Sequence, residues 1–253
     1  MPITLPAHPV AVLPLLRRCP KLPPCALVVG SCVPDLHYVL QMGRVDAHSL
    51  SGLFTFNLPV GLVALLWLEV LILPVLRRTL PSLGNFEPAR FLRTEGLPRS
   101  VSGWAWTVLA LLIGAATHLF LDGLTHVSMW PASMFYPDVY VQLGSRTRLL
   151  AYVLQYVLSI VGSLVVLGAM VRAYPRLPPA PAARWKDALP LLLAMLIGGM
   201  WMLGLRLQHL PPLRSRYFML WYLFWPTASG ALAGLTLACA WMRARFEPER
   251  SRF

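Results

Sequence analysis

The sequence predicts an all-α, polytopic transmembrane helix bundle, and three observations lead there. Hydrophobic residues make up 57% of the 253 and charged residues 13%, against roughly 45–50% and about 25% in soluble domains. The charge is lopsided, with 22 Lys+Arg to 10 Asp+Glu, and Lys21 and Lys186 are the only lysines. Its arginines sit in short clusters between long uncharged stretches, whereas nucleic-acid binders carry positive charge as a patch on a polar fold, so no nucleic-acid partner is expected. Finally, five segments reach the about 20 mostly apolar residues that a helix needs to cross the hydrocarbon core: Leu50 to Leu76, Val101 to Leu121, Leu149 to Val171, Ala188 to Leu205 and Tyr217 to Met242. The last three hold no charged residue, and the first holds only Glu69.

Taken in order, the N-terminal region is broken by Pro2, Pro6, Pro9 and Pro14, which leave no continuous apolar helix of the kind a cleavable signal peptide needs. Leu22 to Pro34 is apolar but too short to cross, and it runs into Asp35 and His37. Leu22 to Gln41 is therefore expected to be a re-entrant or interfacial segment folded back on the bundle. The chain reads as one integral membrane domain: residues 1–49 supply an N-terminal segment with site loops, residues 50–242 the five helices, and residues 243–253 a basic tail. Pro175 to Pro181 is a linker between spans. With five crossings, 13 of the 22 cations fall on the side of the loop Arg77 to Ser100 and of the C-terminus, which the positive-inside rule places in the cytoplasm. Letting Leu22 to Gln41 cross would strengthen that bias, at the cost of setting Pro34, Asp35 and His37 at lipid depth. Cys19, Cys25, Cys32 and Cys239 lack zinc-finger or CxxC spacing and read as small apolar residues. Gly230 and Gly234 form a small-xxx-small pair, which favours close packing against a neighbouring helix of the same chain.

Polar residues are scarce, so their placement carries the chemistry. Thr117 to His126 closes the second span, and within it His118 and Asp122 are four apart, about 6 Å along a helix axis and on one face. An imidazole and a carboxylate so placed can share a metal ion, or can hydrogen-bond to each other and pack the bundle. His126 would lie roughly 12 Å from His118 if the helix continued, suited to a second ion or a substrate phosphate. Pro34 ends an apolar run and presents Asp35 on a loop; His37 follows, as a ligand or as a partner that orients Asp35. His48 and Ser49 open the first span, and His8 lies between Pro6 and Pro9. Arg146 and Arg148 offer phosphate contacts or serve as topogenic charge. His209 reads as an interfacial side chain, and Glu69 as pointing into the bundle or snorkelling towards Arg77 and Arg78.

The order His8, Pro34-Asp35-x-His37, His48-Ser49 and His118-x3-Asp122 resembles bacterial membrane-bound metal-dependent hydrolases of the YdjM type. It is closer still to an uncharacterised sister family of bacterial membrane proteins, a domain of unknown function, through His8 to Leu16, Gly30 to Tyr38 and Ala47 to Leu62. The ligand order is also similar, more distantly, to zinc-dependent phospholipases C. The resemblance implies a multi-pass protein of the bacterial cytoplasmic (inner) membrane that holds one or two divalent ions, zinc first. Asp35, His48, His118 and Asp122 would bind one ion, and Asp122 would bridge to a second held by His8, with His126 as the one candidate for an extra ligand. It further implies hydrolysis of a phosphoester or lipid headgroup at the membrane interface, with Asp35 taking the proton of the attacking water. The alternative is a non-catalytic structural or metal-binding membrane protein. A transporter ranks lower, because such proteins place polar groups on broken mid-bilayer helices in repeated halves, and no repeat is visible.

Overall fold

The computed structural model describes residues 5–43, 45–211 and 216–250, without the side chains of residues 5, 216, 217 and 246–250. Pro2, Arg44, Arg214 and Arg252, which entered the proline and charge readings, lie outside the described residues. A 3-10 segment, Leu5–Val12, leads into α1 (Leu13–Arg18), α2 (Pro24–Cys32), a 3-10 turn at Val33–Asp35 and α3 (Leu36–Val39). The first span is a continuous run made of a wide π-type turn at Leu53–Asn57, α4 (Leu58–Leu66), a second π-type turn at Trp67–Ile72 and α5 (Leu73–Thr79). Then come α6 (Val101–Gly123), α7 (Ala132–Phe135), the strands β1 (Tyr140–Leu143) and β2 (Arg146–Leu149), α8 (Leu150–Ala173), α9 (Trp185–Gln208) and α10 (Arg216–Arg250).

Five helical runs are long and apolar enough to cross a membrane: Leu53–Thr79, Val101–Gly123, Leu150–Arg176, Trp185–Gln208 and Phe218–Arg245. These are the five expected spans, with ends moved by a few residues. Their surfaces suit lipid. On α8 alone Val157, Ile160, Leu164, Leu167 and Val171 are exposed, a stripe far too apolar for water. At 9 residues, α2 covers only about 14 Å and cannot cross. The contacts sort the chain into two compact units. One takes the residues up to Leu36, residues 44–65 and Pro98–Ala173; the other takes His37–Gly43, Leu66–Leu97 and the chain from Tyr174 onward.

In the first unit, prolines set the local structure of the N-terminal region. Pro6 and Pro9 remove amide donors within Leu5–Val12, which forms a 3-10 helix. Pro24 opens α2, and Pro34 falls in the 3-10 turn after it. The α6 start is capped by Ser100, whose Oγ accepts from the Gly103 N–H at 3.1 Å. α2 packs along α6, and the two touch where Gly30 meets the Leu111 backbone and Gly114 meets Leu27, Gly30 and Ser31. A Cβ on either glycine would overlap the backbone of the other helix. Leu27, Val33, Ala110, Leu111 and Ala115 are buried around that crossing. The Leu5–Val12 segment lies against α8, where Gly162 faces Ala7. The hairpin β1–β2, absent from the sequence expectation, pairs Val141 with Arg148 and Leu143 with Arg146. It leaves both arginines exposed.

In the second unit, α9 and α10 form the most extensive helix pair, and their contact runs through small residues. Gly230 abuts Gly198, and Gly234 abuts Ala194, so the glycine pair packs within the chain as expected. Ile72, Val75, Leu191, Ala238, Cys239 and Met242 form the adjoining core. None of the four cysteines is in a disulfide. Glu69 is 6% exposed and corrects the snorkelling alternative. Its Oε2 accepts the backbone N–H groups of Glu95 (3.0 Å) and Gly96 (3.1 Å), pinning the loop before α6, a better partner for a buried carboxylate than a distant arginine.

Candidate metal centre

Each residue of the site reaches it through a distinct local device. Asp35 ends the 3-10 turn that Pro34 imposes after α2. His48 sits on a short loop before the first span, held from both sides. Asp46 accepts from the hydroxyls of Ser49 (2.6 Å) and Ser51 (2.9 Å), and Ser49 Oγ in turn accepts the Gly52 N–H at 2.9 Å. From within the span, the buried Asn57 donates its amide to the Ala47 carbonyl at 2.8 Å. His118 and Asp122 share one face of α6 by their spacing of four. His8 is brought in by the packing of its 3-10 segment on α6 and α8.

Four of these residues present one ligand atom each within 4.8 Å of one another: Asp35, His48, His118 and Asp122. His48 Nε2 lies 3.2 Å from Asp122 Oδ2 and 3.5 Å from Asp35 Oδ1. His118 Nε2 lies 3.4 Å and 3.8 Å from those same oxygens. The other oxygen of each carboxylate turns towards His8, whose Nε2 is 3.8 Å from Asp122 Oδ1 and 4.0 Å from Asp35 Oδ2. The His8 ring stacks on His118, centroids 3.7 Å apart and planes 15° from parallel.

The protonation pattern bears on what fits there. The Nδ1 of His118 donates to the Ser31 carbonyl at 2.8 Å, which leaves Nε2 as a lone pair, the tautomer typical of a metal ligand. That Nε2 is buried and makes no hydrogen bond, as do both nitrogens of His8. A lone pair facing two carboxylates is an arrangement of acceptors against acceptors, costly at this burial without a cation between them. The separations point the same way. A tetrahedron of ligands at 2.0–2.2 Å from zinc has edges of roughly 3.3–3.6 Å, whereas direct charge-assisted N–H···O bonds close to about 2.7–2.9 Å. Observed distances of 3.2–3.8 Å match the former. The buried Asp-His-His-Asp group can hold a divalent metal.

Outside the spans, titration behaviour follows from this crowding. Burial, with His118 alongside, pushes the His8 imidazole down to about 4 despite the two carboxylates, so it is neutral and available as a ligand or proton acceptor. For His48 burial also works downward, but the Asp122 and Asp35 carboxylates beside it outweigh burial and carry the group up to about 9. Burial works to raise Asp35, and the His48 and His118 imidazoles beside it nonetheless hold it below the ordinary carboxylate value.

The structure thus brings together His8, Asp35, His48, His118 and Asp122. It treats the other two candidate histidines, His126 and His37, differently. The sequence expectation put His126 two turns beyond His118, but α6 stops at Gly123 and the chain turns back. The Nδ1 of His126 comes to 3.0 Å from the Asp122 carbonyl and 3.9 Å from Asp122 Oδ1, on the side that faces His8. His37 falls in the second unit, its ring 3.8 Å from that of Tyr38, and it is not in the ligand group. Three contributors escaped sequence reasoning: Ser31, which acts through its carbonyl; Asp46; and Asn57. Only Asn57 carried a signal, as a polar residue inside an apolar run.

One family model, described as a domain of unknown function (DUF4184), matches residues 1–240. No curated protein and no solved structure matches the chain.

Proposed function

The chain belongs to the family of the domain of unknown function DUF4184, and from its site we propose that it is a membrane-bound, metal-dependent hydrolase. The substrate is a phosphoester or lipid headgroup at the membrane interface, the first-choice metal is zinc, and the membrane is the bacterial cytoplasmic one. The observation that carries this reading is the buried His118 Nε2, tied by Ser31 into the ligand tautomer and facing Asp122 and Asp35 at 3.4 Å and 3.8 Å. The likeness in residue order to YdjM-type hydrolases and to zinc-dependent phospholipases C supports the same class.

Asp35, His48, His118 and Asp122 would hold the ion. When bound, a divalent metal polarises a phosphoryl oxygen and lowers the pKa of a coordinated water to about 7. Asp35 holds its second oxygen towards His8, clear of the four-ligand group, and there accepts the proton of the attacking water. The water oxygen bonds to phosphorus, the bond to the leaving alcohol breaks, and Asp35 returns the proton to the departing oxygen. His8, Asp122 and His126 would hold a second ion if one binds, and it would supply further positive charge to the phosphoryl group. Membrane lipid is the expected partner.

A second reading is favoured by one specific feature. Four protein ligands complete a tetrahedral shell, as structural zinc sites do, which makes a non-catalytic metal-binding membrane protein the alternative. Metal analysis of detergent-purified protein should give one or two equivalents for the wild type and less than a third of that for His118→Ala. Metal-loaded wild type should hydrolyse phospholipids or a generic phosphodiester, and Asp122→Asn should lower the rate by at least 100-fold. Unchanged metal content in His118→Ala would end the metal reading. Stoichiometric metal without hydrolysis would establish the alternative.

A further inference from the structure

Beside the metal centre a cavity of about 160 Å³ opens among the Leu5–Val12 segment, α6 and α8. Its wall is apolar over most of its extent, with Val10, Leu121, Leu158 and Val161, and at one end it reaches His8 and Asp122, the residues on the outer side of the ligand group. Val161, at its rim, is 49% exposed on the apolar face of α8 that includes Val157 and Ile160. In a bilayer that rim opens to lipid and not to water. A cavity of this size with apolar walls takes an apolar guest in preference to water.

One polar group in the wall is unexplained by the fold. Gln155 is 5% exposed, in the middle of an apolar span. Its backbone carbonyl accepts from Ser159 Oγ, and the residue lines the cavity. A primary amide, with two donors and an acceptor, is expensive to place in an apolar span and marks a functional position by default. The neighbouring hydroxyls are already engaged: Thr125 Oγ1 bonds the Asp122 carbonyl at 3.2 Å and His126 Nδ1 at 3.0 Å.

We propose that this cavity seats the alkyl chain of a membrane amphiphile, entering sideways between α6 and α8, with its polar linkage against Gln155 and its scissile bond at the metal centre. This deepens the hydrolase reading and rests on it for the scissile bond. It turns a choice between soluble and lipidic phosphoesters into a commitment to the lipidic class. The geometry favours it because the apolar wall that abuts the ligand group also reaches the exposed apolar face of α8. A soluble ester would need a polar approach that this side of the site does not offer.

The test uses full-length protein in nanodiscs containing a phospholipid with a diazirine in its acyl chain, with photolabel position and bound metal as readouts. Labels should concentrate on Val10, Leu121 and Leu158 in the wild type. Labelling there should drop at least tenfold in Leu158→Trp, and likewise in Val161→Trp, a rim change that the exposed position tolerates. Leu164→Trp, on the lipid-facing stripe of the same helix, should label as the wild type does, and bound metal in all three variants should stay at the wild-type level. Labels spread evenly around the bundle, or undiminished by both cavity variants, would overturn the proposal. Cavity labelling without any hydrolysis would sink the catalytic reading and leave the chain site standing. Hydrolysis of soluble phosphodiesters with no cavity labelling would do the reverse.

Discussion

Replacing Gly114 by alanine should loosen the metal centre without touching any ligand. The new methyl would overlap the Leu27 carbonyl oxygen and fall 2.7 Å from the Ser31 amide nitrogen and 2.9 Å from the Gly30 carbonyl carbon, all backbone atoms that cannot rotate away. Ordinary van der Waals contact begins at 3.4 Å, so α2 and α6 must separate by at least about 0.7 Å, the difference between 3.4 and 2.7, to relieve the Ser31 contact, and by more to clear the Leu27 oxygen. Taken up along the contact, that shift stretches the hydrogen bond from His118 to the Ser31 carbonyl from 2.8 Å to about 3.5 Å, beyond the 2.7–3.2 Å range of an N–H···O bond. Overpacking costs about 1–3 kcal/mol and the hydrogen bond about 0.5–1.5 kcal/mol, a total of roughly 1.5–4.5 kcal/mol. Losing the partner that orients a ligating imidazole lowers metal affinity by about 10–100-fold. Zinc affinity from competition with a chromophoric chelator, alongside the thermal midpoint in detergent, measures both effects. Gly168→Ala on α8, where an added Cβ meets nothing within 4 Å, is the control and should leave affinity at the wild-type value. If Gly114→Ala bound zinc within twofold of the wild type, the link from helix crossing to ligand orientation would be refuted.

Two further outcomes follow from the second unit. Gly230→Leu should separate α9 from α10, because its Cβ would overlap the Gly198 backbone and lie 2.6 Å from Met202 Cγ; a fall in thermal midpoint is expected, and an unchanged midpoint would mean that the pair is not held by this contact. Glu87 anchors a loop by accepting from Arg90 Nη2 (2.7 Å) and the Ala180 N–H (2.9 Å), and Arg90 first, then that amide, hold its carboxyl down at about 2. A carboxylate lowered on folding adds stability that is complete above its unfolded value near 4.5 and is lost as pH falls towards 2. The difference in protease resistance between wild type and Glu87→Gln should therefore be constant above about pH 5 and shrink below it; a difference that grew on acidification would contradict the assignment.

The sequence by itself determined what depends on local pattern. Twenty apolar residues in a row can satisfy their backbone only as a helix in lipid, so the five spans were legible with ends a few residues off. A spacing of four places His118 and Asp122 together on any helix, and Gly230 with Gly234 marks a close helix contact wherever the partner lies. The shortness of the apolar run Leu22 to Pro34, ending at Asp35 and His37, likewise told against a crossing there. The hairpin at Tyr140–Leu149 was missed, since four-residue strands give too short an alternation to read.

Only the tertiary structure decided which polar residues meet. His8, Asp35 and His48 are remote in sequence from α6, and no periodicity links them to it. They converge because Gly30 and Gly114 let α2 and α6 touch backbone to backbone and because Asp46 and Asn57 hold the His48 loop. The same lack of local information split Asp35 from His37, two residues on, and folded His126 back onto Asp122 once α6 ended at Gly123. It also gave Glu69 two backbone amides in place of the arginines nearest in sequence. Hydrophobic length and helical period are properties of a few successive residues and survive in any fold. A ligand set depends on where separate segments cross, and a shift of less than an ångström at that crossing changes it.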